Sequence, residues 1–269
     1  MRWRLLVDGA ARGSWNMAVD HAILEACSKA AAEATIRFYR WDPPCLSIGY
    51  FQSLRREVDT EYCKSAGIEW VRRPTGGRAV LHDDEITYSV VAPESALRGT
   101  VLESYKTISE ALLDGFARLG VQASIVSVRE KGVLYGESGA CFDAPSWYEI
   151  TVGTRKLVGS AQVRKDGAIL QHGSILLSFD AERLLDALGV RPGTRRDRLR
   201  EILGKNVGSL NELADSGLSC EAVTDAMIFG FRKRFATDLE YGALSDAEIE
   251  RARELERSVY RNPEWNERK

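Results

Sequence analysis

The sequence has none of the features that mark membrane proteins, metal sites and disulfide scaffolds. No apolar run approaches the ~18 residues that a membrane-spanning helix needs. The opening "MRWRLLVDGAARG" holds only three consecutive aliphatic residues, too few for the apolar stretch of a secretory leader, so a cytoplasmic location is expected. The five cysteines, Cys27, Cys45, Cys63, Cys141 and Cys220, are odd in number and form no Cys-x-x-Cys pair. That argues against a disulfide framework, a zinc ribbon and a thioredoxin-like motif. The three histidines, His21, His82 and His172, are scattered, and no metal centre is expected. An excess of charge of one sign is also missing: the formal net charge is −2, which gives no global field toward nucleic acid or membrane. Repeats, low-complexity stretches and linkers are absent too. If a cysteine matters in this chain, it acts alone.

What is present fits one large domain, or one domain with a small appendage: 269 residues, 44% hydrophobic and 28% charged. "RWRLLVD", "TIRFYRW", "CLSIGYF", "IEWVRR" and "EITYSVVA" read as strands, and "NMAVDHAILEACSKAAA" as a helix. "TVLESYKTISEALLDGFARLG" is the clearest helix, with Thr100 and Glu103 at capping-box spacing. Strands follow again in "QASIVSV", "YEITV", "RKLVGSAQVR" and "AILQHGSILLS", with hairpin turns expected at 153–154 and 165–167. From about residue 181 the chain turns mainly helical, and Ser209/Glu212 and Ser245/Glu248 repeat the capping-box spacing. Blocks of strands with helices between them predict an α+β fold around a mixed, largely antiparallel sheet with flanking helices.

Five stretches are candidates for chemistry. "RRPTGGRAVLHD" (72–83) sets Gly76 and Gly77 among Arg72, Arg73 and Arg78. It lacks the Walker spacing, and it reads either as a ligand-hugging loop or as a hairpin turn with solvated arginines. "GACFDAPSWYEI" (139–150) puts Cys141 among loop formers; a loop thiol is either inert or, beside a cation such as Lys156, a nucleophile. "KLVGSAQ" (156–162) follows a lysine with Gly159, Ser160 and Ala161, either a site where a ligand lies on bare backbone or a small-residue bulge. A thiol–imidazole set of Cys141 with His82 or His172 and Asp83 has no papain-like signature behind it. Residues 191–206 carry six basic and two acidic side chains, either a solvated helix face or a docking patch for an acidic partner.

Together these stretches resemble the biotin/lipoate protein ligase and octanoyltransferase superfamily, from about residue 14 to 240. "RRPTGGRAVLHD" is similar to its lipoate-binding loop, and "KLVGSAQ" to its lysine-bearing strand. Where lipoate ligases usually read Gly-Gly-Gly, this chain has Arg78 after Gly76-Gly77, and it has a cysteine where they have Asn-Asp. "CFDAPS", with Lys156 fifteen residues after the cysteine, is similar to the octanoyltransferases of the Bacillus-type lipoate pathway. The resemblance implies the biotin/lipoate ligase catalytic-domain fold over 14–240, with 241–269 a helical tail that is no independent domain. It implies an acyltransferase that takes octanoyl from acyl carrier protein to a lipoyl domain such as the glycine cleavage H protein. Cys141 would carry the acyl thioester and Lys156 would lower its pKa. Arg72, Arg73, Gly76, Gly77, Arg78, His82, Gly159, Ser160 and Ala161 would bind the acyl substrate. No cofactor or ATP, no metal, no nucleic acid and no membrane is expected, and a monomer is the expected state. A transfer between lipoyl domains, an ATP-dependent lipoate ligase and a non-catalytic lipoyl-domain binder are the alternatives.

Overall fold

Three segments carry apolar side chains on both faces, and they become the centre of a sheet. Residues 34–41, 85–93 and 168–176 are buried almost throughout, as strands covered by helices on both sides must be. In the computed structural model, which describes residues 2–30, 32–97, 99–127, 148–214, 217–235 and 238–268, these segments are β2 (Ala34–Trp41), β6 (Glu85–Pro93) and β10 (Ala168–Leu176). Around them lie β1 (Trp3–Ala11), β7 (Ser124–Ser127), β8 (Tyr148–Val152), β9 (Arg155–Lys165) and β11 (Leu239–Tyr241). The order across this eight-stranded sheet is β11-β1-β2-β6-β10-β9-β8-β7. From β2 to β7 every pairing is antiparallel, whereas β1 runs parallel to both β2 and β11. The fold is thus the expected α+β type with a mixed, largely antiparallel sheet.

A second sheet is made of β3 (Cys45–Ile48), β4 (Glu69–Arg72) and β5 (Val80–His82), in the order β4-β3-β5. β5 lies within the 72–83 stretch expected to be a loop or hairpin turn, since three residues are too few to display an alternation. Both anticipated turns form: Gly153 closes β8 to β9, and Asp166 and Gly167, both at positive φ, close β9 to β10.

Helices α1 (Gly13–Ser28), α2 (Val101–Arg118), α3 (Thr194–Asn206), α4 (Cys220–Phe235) and α5 (Asp246–Leu255) cover these sheets. Ile108, Leu112 and Phe116 of α2 and Met227 and Phe231 of α4 pack on Phe38, Tyr88 and Ile169 of the large sheet. On its other face Met17 and Ile23 of α1 meet Tyr39, Val91 and Leu170, together with Ala252, Leu255 and Tyr260 of the C-terminal segment. A third cluster joins Leu46 and Val80 of the small sheet to Leu184, Leu199 and Leu203. Each of these fully buried apolar side chains contributes about 1.5–3 kcal/mol. Capping boxes form at Thr100/Glu103 and Ser245/Glu248, and Glu248 also receives Arg4 of β1 at 2.6 Å. Ser209/Glu212 makes no capping box, since the Ser209 hydroxyl bonds nothing at the helix start. No described helix is long and apolar enough to cross a membrane.

Candidate active site

The "RRPTGGR" loop leaves β4 with its first two arginines turned inward. Arg73 donates from Nη1 to Ser47 O (3.1 Å) and Oγ (3.2 Å), and from Nη2 to Gly76 O (2.8 Å) and Arg78 O (2.7 Å). One buried guanidinium therefore pins the glycine turn onto β3. Gly77 sits at φ +94°, and its carbonyl passes so close to Gly49 that a Cβ there would meet the oxygen at 1.9 Å. Only glycine at position 49 lets the loop lie down this far.

Arg72 is fully buried and has a different role. Its donors reach the carbonyls of Gly49, Tyr50 and Gln52 on one side and of Trp265, Asn266 and Arg268 on the other. The arginine expected to bind substrate is a tie between the segment after β3 and the C-terminal end. For Arg72 and Arg73 the solvated-arginine reading fails as well, because backbone carbonyls take up both guanidinium groups.

A largely apolar cavity of about 360 Å³, counted with its open mouth, lies between the two sheets. Ser47, Arg73, Val80 and His82 line it from the small-sheet side. The large sheet supplies Tyr39, Trp41, Thr87, the Gly159–Ser160–Ala161 run and His172–Gly173–Ser174, and α1 supplies Met17. Trp41 stacks flat on His82, with ring centroids 3.9 Å apart.

Two hydroxyl–imidazole–carboxylate chains brace this wall. In the first, Ser47 Oγ lies 2.8 Å from His82 Nε2, and His82 Nδ1 lies 3.3 Å from Glu85 Oε1. The Glu85 carboxylate can only accept, so the ring proton sits on Nδ1 facing it and Nε2 accepts from Ser47 Oγ. Burial pushes the His82 pKa down against the opposing pull of Glu85, so the ring is neutral at pH 7. In the second chain, Thr75 Oγ1 lies 2.6 Å from His172 Nε2, and His172 Nδ1 lies 3.5 Å from Asp20 Oδ2. Asp20 also accepts from Arg37, Tyr39 and Ser89, each at 2.9 Å. Burial works to raise its pKa, but His172 and Arg37 outweigh burial and hold it below the usual carboxylate range. An unpaired buried polar group costs about 1–3 kcal/mol. Here each has a partner, which keeps the wall rigid.

Of the residues expected to bind the acyl group, Arg73, His82, Gly159, Ser160 and Ala161 border the cavity. Arg72, Gly76, Gly77 and Arg78 do not. Asp83, weighed as a partner for a histidine, pairs instead with Arg183; the carboxylates on the histidines are Glu85 and Asp20. Sequence reasoning passed over Thr75, Asp20 and Met17, and gave His172 a place only beside Cys141. The signal it could have used is polar side chains on strands buried on both faces: Thr87, Ser89, Gln171, His172 and Ser174.

Lys156 owes its direction to a break in register. Ile150 pairs with Val158, but Thr151 pairs with Lys156, so Leu157 is an extra residue in β9. This bulge turns Lys156 to the face that carries Glu149 and Thr151. Lys156 Nζ lies 3.1 Å from Glu149 Oε1, the two side chains only 4% and 10% exposed. The bulge anticipated at 159–161 is therefore at Leu157, and the small residues pair with β10 without interruption.

Over residues 12–232 the chain matches the lipoyl protein ligase A/B catalytic domain. It belongs to that family. It is 48% identical over 272 residues to Octanoyltransferase LipM of Kyrpidia tusciae, spanning 99% of each chain. A bi-partite lipoate protein ligase from Thermoplasma acidophilum superposes with a TM-score of 0.81 at 29% identity, over 99% of this chain and 96% of that one. Lipoate-protein ligase A bound with ATP gives 0.80 at 30% identity, over 99% of each. This member of the lipoyl protein ligase A/B family is an enzyme, an acyltransferase.

Four of its cysteines are among the described residues. Burial pushes the thiols of Cys27 and Cys63 up to about 11 and that of Cys45 well up, which leaves them inert at neutral pH. Cys220 is half-buried and accepts from Arg40 Nη1 at 3.5 Å. Cys141, the expected nucleophile, lies outside the described residues.

The basic segment 191–206 holds few free charges. Arg196 bonds Glu182 and lies 2.6 Å from Asp186. Arg200 meets Asp197 at 3.2 Å, and Lys205 meets Glu201 at 2.5 Å. Arg196 clamps α3 to the 181–187 helix; it is not the free docking charge that the sequence suggested.

Proposed function

We propose that this acyltransferase moves an octanoyl group from the thioester of an acyl carrier protein to the lipoyl-domain lysine of an acceptor such as the glycine cleavage H protein. The group passes through a thioester on Cys141. The observation that carries the reading is the apolar cavity walled by Gly159, Ser160 and Ala161, a few residues along β9 from Lys156. Full-length similarity to an enzyme named octanoyltransferase supports it.

The Cys141 thiolate attacks the thioester carbonyl, and the carrier thiolate leaves and takes up a proton. The acceptor lysine, as a neutral amine, then attacks the new thioester. The amide forms, the amine proton is released, and Cys141 is freed. The first exchange is nearly balanced and the amide draws the sequence forward, which splits one difficult step into two. The donor is already activated, so no ATP enters. Lys156 supplies the cation that favours thiolate over thiol. Each methylene placed in the cavity is worth about 0.8 kcal/mol, which lets a slot of fixed depth select chain length.

An ATP-dependent ligase is the second reading, and the fold shared with an ATP-bound ligase favours it. One experiment separates the two. The protein is mixed with octanoyl-carrier protein without ATP and its intact mass is taken. One added octanoyl group that hydroxylamine removes, and its absence from Cys141→Ala, are expected. No adduct on the wild type, or an equal adduct on Cys141→Ala, rejects the proposal. Transfer that needs ATP and survives Cys141→Ala identifies a ligase. An adduct formed from octanoylated lipoyl domain but not from carrier identifies a transferase between lipoyl domains.

A further inference from the structure

We propose that Glu149 is the positioning residue for the Lys156 ammonium, fixing its place and its direction. This rests on the reading above, in which Lys156 serves the acyl transfer. The Leu157 bulge turns Lys156 toward Glu149 and Thr151 of the neighbouring strand, and the ammonium lies 3.1 Å from the Glu149 carboxylate with both side chains nearly out of solvent. The segment after α3 also borders the lysine. Val207 bridges to Lys156, and Gly208 N donates to Lys156 O at 2.9 Å.

A carboxylate in contact with a buried ammonium makes a charge-assisted hydrogen bond and restricts the side chain to one direction. Arg155 is the other cation on this stretch, and it is engaged elsewhere: it meets Glu212 at 2.5 Å and donates to Val207 O at 2.8 Å.

The test compares Glu149→Gln, Glu149→Asp and Lys156→Ala in octanoyl transfer. In Glu149→Gln kcat is expected to drop about tenfold, with KM for the donor changed less than about twofold. Glu149→Asp, which keeps the charge, should recover most of kcat; it also carries the comparison if Glu149→Gln fails to fold. A wild-type kcat in Glu149→Gln, with Lys156→Ala impaired, overturns the role of Glu149 and leaves that of Lys156 standing. Wild-type transfer by Lys156→Ala overturns both.

Discussion

Thr75 Oγ1 stands 2.6 Å from His172 Nε2, which ties the loop that bears Gly76 and Gly77 to the centre of the large sheet. Through His172 and Asp20 that tie reaches Arg37, Tyr39 and Ser89. One wall of the cavity is thereby anchored to the most buried part of the molecule.

Thr75→Val keeps the shape of the side chain and removes the hydroxyl, leaving a ring nitrogen of His172 unpaired. The cost in stability should be about 1–3 kcal/mol. Because the loop and not the reacting groups is loosened, KM for the acyl donor should rise more than kcat falls. Urea unfolding and steady-state kinetics on the same preparation check this; an unchanged KM argues against it.

Asp20 governs part of the acid limb of stability. Burial disfavours its charge, but His172 and Arg37 more than compensate, and its folded-state pKa lies below the ordinary value. A depressed carboxylate pKa gives stability that is fully present above the unfolded value, about 3.9, and is lost as pH falls through the folded value. Asp20→Asn should cost about 3–5 kcal/mol at pH 7, where it strips Arg37 of a buried counter-charge. It should also flatten the decline of the urea midpoint below about pH 4. A variant whose acid limb stays as steep as the wild type's would show that other carboxylates control it.

Arg72→Lys replaces a planar fork with three mobile donors and cannot reach all six carbonyls that Arg72 serves. Each carbonyl left without a donor should cost about 1–3 kcal/mol. The segment from Trp265 onward should detach first, seen as faster proteolysis near the C-terminus under native conditions. Equal cleavage rates in variant and wild type would deny Arg72 its tie.

Met17 is the one contribution of α1 to the cavity lining, and Gly173 allows no added carbon, since a Cβ there would meet Ser160 Oγ at 2.4 Å and Tyr88 Cε1 at 2.7 Å. Met17→Ala should deepen the slot at a cost of about 2–5 kcal/mol in stability. The preferred acyl chain should lengthen, with kcat/KM for decanoyl over octanoyl donors rising by roughly fourfold per methylene newly accommodated. A chain-length profile from hexanoyl to dodecanoyl thioesters decides it, and an unshifted optimum would place the depth limit elsewhere.

Much of the fold was legible beforehand because its signals are local. The strands at 34–41, 85–93 and 168–176, the Thr100 and Ser245 caps and the turns at Gly153 and Gly167 each depend on a few adjacent residues. Ser209 misled for the same reason: its spacing to Glu212 is right for a cap, but its place beside Lys156 is set by a strand more than fifty residues earlier. The arginines misled too. Arg72 and Arg73 are adjacent and chemically identical, yet one holds the C-terminal end and the other the glycine turn, since the carbonyls that claim them come from distant segments.

Most of the elements, the α+β class, the small residues of β9 and, through "RRPTGGR" and "KLVGSAQ", the family can be read from the chain alone. Those properties follow from side-chain period, turn chemistry and short motifs, all carried by neighbours along the chain. Three-dimensional packing sets which polar groups share a proton network, turns Lys156 to Glu149 through one extra residue at Leu157, and brings Met17 to the cavity wall. Register and long-range packing make those choices, and neither is written in any one segment.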